Sequence, residues 1–143
     1  METERNKVLI IEDDLETGKH LRRLLERLGY DHILVITGTY GTLAPEAILK
    51  GKGFDPSGQP LDIDLRTVAV AFVDGILEED SPRGWEIVPA LLEARVTCIA
   101  ISGSNQDDLV AAGAQYACNK SEIAKIVKSQ FRQIYARAIE QAR

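Results

Sequence analysis

Cysteine is almost absent from this chain: Cys98 and Cys118 are the only two among 143 residues. Two thiols make no disulfide framework, and neither lies in a cluster with histidine that would suit a metal, so both read as core thiols. Histidine is as scarce. His20 and His32 stand alone in the sequence, and isolated histidines read as ordinary surface or helix residues. A surplus of positive charge is missing too: the net charge is −5, with Lys and Arg mixed in along the chain. That excludes a general binder of nucleic acid or anionic membrane. No apolar run approaches membrane-spanning length, and the opening METERNK has no signal-peptide character. The expectation is a soluble, cytoplasmic protein. No internal repeat and no second domain are visible, so 1–143 reads as one domain, with 45% hydrophobic residues to build its core.

What the sequence does contain is short apolar runs alternating with helical periodicity. Val8–Ile11 predicts a strand buried on both faces, as in parallel sheets. Leu21, Leu24, Leu25 and Leu28 then recur at helical spacing, and Gly29 stops that helix. HILVI (32–36) predicts a second strand, and a short helix is expected to begin near Pro45. Residues 51–65 break the pattern. Pro56, Gly58 and Pro60 mark turns, and the alternation of Leu61, Ile63 and Leu65 suggests a small hairpin or ordered loop. Thr67–Val73 predicts strand three. A helix follows with Ile87, Val88, Leu91 and Leu92 inward; Pro89 is tolerable there only within about the first turn. Val96–Ile101 predicts strand four. Ser104–Asp107 looks like a helix start, ended by Gly113, and Gln115–Cys118 predicts strand five. Ser121 is expected to cap a long C-terminal helix over 121–142, with Ile123, Ile126, Val127, Phe131, Ile134 and Ala138 on its inner face. Five strand–helix alternations predict a doubly wound α/β sheet with helices on both faces. Ligands of such sheets lie beyond the carboxyl ends of the strands, where the strand order reverses.

The predicted strand ends are polar. Strand one runs into Glu12, Asp13 and Asp14, and strand three into Asp74. Strand four is followed by Ser102, Gly103 and Ser104, and strand five by Asn119 and Lys120. Crowded carboxylates repel unless a cation joins them. Mg²⁺, a hard cation that keeps waters and takes few protein ligands, suits such a set. Glu12, Asp13 and Asp74 are the expected ligands, completed by a backbone carbonyl near Ile76. An aspartate can also attack phosphorus and carry a phosphoryl group, a reaction that needs alignment and positive charge around the oxygens. Lys120 can supply that charge and Ser102 a hydrogen bond.

Taken together, VLIIEDD, AFVDG, IAISGS and AAGAQYACNKS, in that order, resemble the receiver domain of two-component response regulators. The resemblance covers most of the chain, leaving out the 51–65 insertion and the distal end of the last helix. It implies a flavodoxin-like sheet of order 2-1-3-4-5. It maps the acidic pair onto Glu12 and Asp13, the phosphoacceptor onto Asp74, the switch hydroxyl onto Ser102 and the lysine onto Lys120. It also implies Mg²⁺, and a histidine kinase or histidine phosphotransfer protein as phosphodonor. Signalling would run through protein contact to a downstream protein, with no nucleic acid and no membrane. Catalysis would go no further than Mg²⁺-dependent self-phosphorylation and slow autodephosphorylation.

The chain departs from that pattern in four places. Glu78 stands where a proline is usual after the acceptor, within an acidic Glu78–Asp80 stretch, and Gly84 comes about two residues late. Ser121 replaces the proline that usually follows the lysine. Ala117 takes the place of the usual switching aromatic, with Tyr116 pointing to the opposite face. The stretch from Ser102 to Lys120 is about one helical turn short. These departures keep a second reading open, a pseudo-receiver that binds or scaffolds without phosphorylation. A third is a nuclease-type enzyme, since Glu12 with Asp62-x-Asp64 resembles the metal motif of topoisomerase-primase domains. The 51–65 insertion reads as a surface insertion or as a partner-binding or dimer-stabilising hairpin. The apolar stripe Ile134, Tyr135, Ala138, Ile139 reads as a frayed end or as a contact for a partner or a second copy.

Overall fold

The structure, a computed structural model, describes residues 4–12, 14–30, 32–36, 52–54, 59–74, 84–101 and 106–142. In chain order the strands are β1 (Lys7–Ile11), β2 (Ile33–Ile36), β3 (Lys52–Phe54), β4 (Pro60–Asp62), β5 (Val68–Asp74), β6 (Thr97–Ile101) and β7 (Tyr116–Cys118). The helices are α1 (Leu15–Arg27), α2 (Gly84–Glu93), α3 (Gln106–Ala111) and α4 (Ile123–Gln141). Short 3-10 turns occupy Leu65–Thr67 and Lys120–Glu122. The helix expected near Pro45 lies outside the described residues. None of the described helices is long and apolar enough to cross a membrane.

Strand pairing follows from sequences apolar on both faces. The main sheet has the order β2-β1-β5-β6-β7, and every neighbouring pair in it is parallel. Successive side chains go to opposite faces. Val8 and Ile10 therefore face a cluster with Leu21, Leu24 and Leu25 of α1 and Val127, Phe131 and Ile134 of α4. Leu9 and Ile11 face the other, with Ile87, Val88 and Leu91 of α2. A register shift between Lys7 and Val8 places Lys7 opposite Val68 and Val8 opposite Val70. As a result Ala69 and Val70 share one face, as at a β-bulge.

The 51–65 insertion contains the expected hairpin. β3 and β4 pair antiparallel, Lys52 with Asp62 and Phe54 with Pro60. Ile63 and Leu65, just after it, are buried in the core cluster on the α2 face. At the same end, the Arg5 guanidinium donates to the carbonyls of Leu65, Val68 and Ala94. One side chain thus ties the insertion, β5 and the end of α2 together.

Three expectations about helices need correction. Pro89 is the sixth residue of α2, beyond the first turn. It is exposed, so the helix survives with its ring toward solvent and one amide bond missing. The turn after β7 is capped by Asn119, whose side chain accepts from the Ser121 amide, and Ser121 lies inside that turn; α4 starts only at Ile123. Finally, the stripe at the end of α4 is not a free surface. Ile134 and Ala138 are buried, Tyr135 and Ile139 pack against the same core, and the Tyr135 hydroxyl donates to the Arg5 carbonyl. Gly29 (φ +97) and Gly113 (φ +117) do end α1 and α3. A side chain at Gly113 would also run into Leu92.

Candidate functional site

Strand order reverses between β1 and β5: the chain moves outward from β1 to β2, then returns to the other side of β1. Glu12 follows β1 and Asp74 is the last residue of β5. Parallel pairing carries both carboxylates to one edge, at the reversal. Lys120 opens the turn after β7 and reaches across to them. Its Nζ lies 3.2 Å from Glu12 Oε1 and 3.2 Å from Asp74 Oδ2. Glu12 is 1% exposed and Asp74 3%, whereas the Lys120 side chain is 31% exposed. Two buried acids thus share one half-buried cation.

Local structure fixes the acidic loop. The Asp14 side chain accepts from the Glu16 amide at 3.1 Å and the Thr17 hydroxyl at 2.8 Å, capping α1. The Asp14 amide donates back to Glu12 Oε1 at 3.1 Å. The Thr17 hydroxyl, helped by the Glu16 amide, holds the Asp14 carboxyl below its ordinary range against the opposing effect of burial.

The electrostatics are those of two buried acids beside a single cation. Burial pushes the Glu12 carboxyl up to about 9; the nearby Asp74 carboxyl adds to the rise, and the Asp14 amide and Lys120 only partly oppose it. Glu12 Oε2 is buried and receives no donor. Two facing carboxyls can hydrogen-bond only if one holds a proton, which the raised pKa of Glu12 provides near neutrality. Burial works against the Lys120 charge, but Glu12 and Asp74 outweigh it and raise its pKa.

An orphaned buried oxygen beside a second carboxylate fits a hard, oxygen-seeking cation. Glu12 and Asp74 are the described residues that could hold one. The described residues include no group of three acids, histidines or cysteines placed to do so, and Asp13, Ile76 and Ser102 lie outside them. The Asp62-x-Asp64 motif is elsewhere. Asp64 caps the turn before β5 and pairs with Arg66. It lies at the opposite end of a seven-residue strand from Asp74, roughly 20 Å away at strand rise. The nuclease-type reading loses its metal cluster on that separation. Cys98 and Cys118 are buried free thiols, raised by burial to about 12 and about 11, and His20 and His32 are exposed.

Solved structures match this fold over nearly the whole chain. A CheY-like response regulator receiver domain protein from Methanospirillum hungatei JF-1 aligns at TM-score 0.65 and 16% identity, covering 95% of this chain and 98% of that one. The receiver domain of the Francisella response regulator 1452 aligns at TM-score 0.61 and 16% identity, covering 92% and 98%. The fold is that of a response-regulator receiver domain. A BeF3-activated receiver domain of DrrB, from Thermotoga maritima, also aligns, at TM-score 0.62 and 18% identity over 91% and 97%. No protein-family model and no curated protein matches the sequence. The agreement therefore lies in receiver architecture, and the roles of individual residues rest on the chain's own chemistry.

Glu12, Asp74 and Lys120, singled out in the sequence, are brought together by the fold. Two supporting groups were not foreseen, the Asp14 amide on Glu12 and the Asn119 cap beneath Lys120. A visible signal for the second was Asn119 two residues before Ser121, an Asx-turn pattern.

Proposed function

We propose that the chain is a receiver that accepts a phosphoryl group on Asp74 and signals through protein contact. The observation that carries this reading is the Glu12–Lys120–Asp74 cluster, buried at the switch point of a receiver fold. In this reading the whole of 1–143 works as one flavodoxin-like domain of strand order 2-1-3-4-5, in the cytoplasm. The donor is a histidine kinase or histidine phosphotransfer protein. An Asp74 carboxylate oxygen attacks the phosphorus of the donor's phosphohistidine. The P–N bond breaks, and its electron pair returns to the imidazole, which then takes up a proton.

Glu12, Asp13, Asp74 and the Ile76 carbonyl would hold Mg²⁺, which supplies positive charge to the transferring phosphoryl oxygens. Lys120 supplies a second positive charge and Ser102 a hydrogen bond. Before transfer, Lys120 pairs with Asp74. Afterwards its ammonium is in place to pair with the new phosphoryl oxygens, which offer stronger acceptors than the carboxylate did. Such a regulator is a signalling module rather than an enzyme, beyond turning over its own acyl phosphate.

The test is intact-mass measurement after incubation with acetyl phosphate and Mg²⁺, with peptide mapping. One phosphoryl group should appear, mapped to Asp74 and lost in Asp74→Asn. A pseudo-receiver would gain no mass.

A further inference from the structure

Lys120 has a long, flexible side chain, yet it meets two buried carboxylates at equal distances. A lysine gives up much rotamer freedom when held in one geometry. Its backbone must therefore be well anchored for the contact to persist, and the anchor is local. Asn119 is extended (φ −75, ψ 146) and ends the strand direction of β7. Its Oδ1 accepts from the Ser121 amide at 3.1 Å and from the Ser121 hydroxyl at 3.1 Å. The Glu122 amide donates to the Asn119 carbonyl at 2.9 Å, and the Ile123 amide to that of Lys120. Lys120 is thus the first residue of a 3-10 turn whose shape is set by the side chain before it.

We propose that Asn119 is a positioning residue for Lys120, and that the Asn119–Ser121 pair is the device that aims this chain's lysine into the site. The turn does the work that a rigid residue after the lysine could otherwise do, and Ser121 contributes an amide that a proline would lack. The inference rests on the proposed phosphoacceptor reading for its consequence, but its geometry stands in the unphosphorylated protein. Ser121→Ala keeps the amide bond and so should have the smaller effect of the two partners. Asn119→Ala removes both bonds, whereas Asn119→Ser keeps a residue that caps well.

Two readouts test it. The first is the labelling rate of Lys120 by a limiting amine-acylating reagent, followed by peptide mass spectrometry on the metal-free protein. Asn119→Ala should raise that rate about fivefold, the size expected for loss of a typical cap, and Asn119→Ser should return it to within about twofold of wild type. The second is a double-mutant cycle on the rate of phosphorylation by acetyl phosphate with Mg²⁺. Asn119→Ala should slow it about fivefold in the wild-type background and add nothing in the Lys120→Ala background, the signature of action through the lysine. Unchanged Lys120 labelling in Asn119→Ala overturns the proposal whatever phosphorylation does. So does equal slowing in both backgrounds, which would make Asn119 merely structural. Altered labelling in a protein that never takes up phosphate would instead uphold the positioning and sink the phosphoacceptor reading.

Discussion

Glu12 is the residue on which the site's electrostatics turn. Its carboxyl is raised to about 9 from an ordinary value near 4.5 because burial and Asp74 outweigh the Asp14 amide and Lys120. A carboxyl raised by folding holds its proton in the native state and loses it in the unfolded one. Its contribution to stability is therefore greatest below pH 4.5, and it is lost as pH rises from there through about 9. Metal-free protein should accordingly melt at lower temperature at pH 9 than at pH 6, and Glu12→Gln should flatten that decline. Binding of Mg²⁺ should expel the same proton. Calorimetry in buffers of different ionisation enthalpy should find close to one proton released per Mg²⁺ at pH 7, and none in Glu12→Gln. Lys120→Ala should still bind the cation but no longer switch, because the ammonium is assigned to the phosphoryl oxygens. The two acids were legible in the sequence because each ends an apolar run, and the lysine because it closes strand five with Asn119. The raised pKa of Glu12 was not, since it depends on a burial and a closeness that only packing creates.

At the scale of elements, the alternation of apolar runs and helical periodicity made β1, α1, β5, β6 and the inner face of α4 readable. Their burial leaves one register that keeps the apolar set inside. The ends of elements were harder. Whether Asn119 or Ser121 caps the last turn depends on one dihedral, and both residue types cap. The depth of Pro89 in α2 was hard to read for a related reason, since a sequence shows that a proline is near a helix start but not how many residues precede it. Its exposed ring leaves the Trp85 carbonyl without its helical amide. Pro89→Ala should therefore stabilise the protein by about 1–2 kcal/mol, less than the roughly 3 kcal/mol of intrinsic propensity because alanine also frees the unfolded chain. Opposite it in sign, Phe131→Ala removes a ring that stacks on Phe72 at 5.6 Å and meets Tyr30 edge-on at 4.9 Å. It should cost about 3–5 kcal/mol in denaturant unfolding.

Across the whole molecule, charge that looks mixed in the sequence is segregated by the fold. α1 carries four basic and two acidic residues and the adjacent α4 four and one. Their eight basic side chains, from Lys19 to Arg137, are all exposed. This face is +5 in a chain of −5, which leaves −10 elsewhere. Average charge could not reveal that, because it depends on which helices pack side by side. Output is also a property of the whole. Ala117 is exposed on β7 and has no ring to turn inward, and Tyr116 packs on the opposite, α4 side. Beryllofluoride should therefore change hydrogen exchange in α3, in the Glu78–Asp80 segment and in the 51–65 insertion, and leave Tyr116–Cys118 nearly as it was. Strong protection changes confined to Tyr116–Cys118 and the start of α4 would contradict that route. That output route depends on Asp74 receiving the phosphoryl group. Intact mass after acetyl phosphate and Mg²⁺ tests that most directly: one added phosphoryl group is expected, mapped to Asp74 and absent from Asp74→Asn. No added mass, or a phosphoryl group mapped to any other residue, would contradict it.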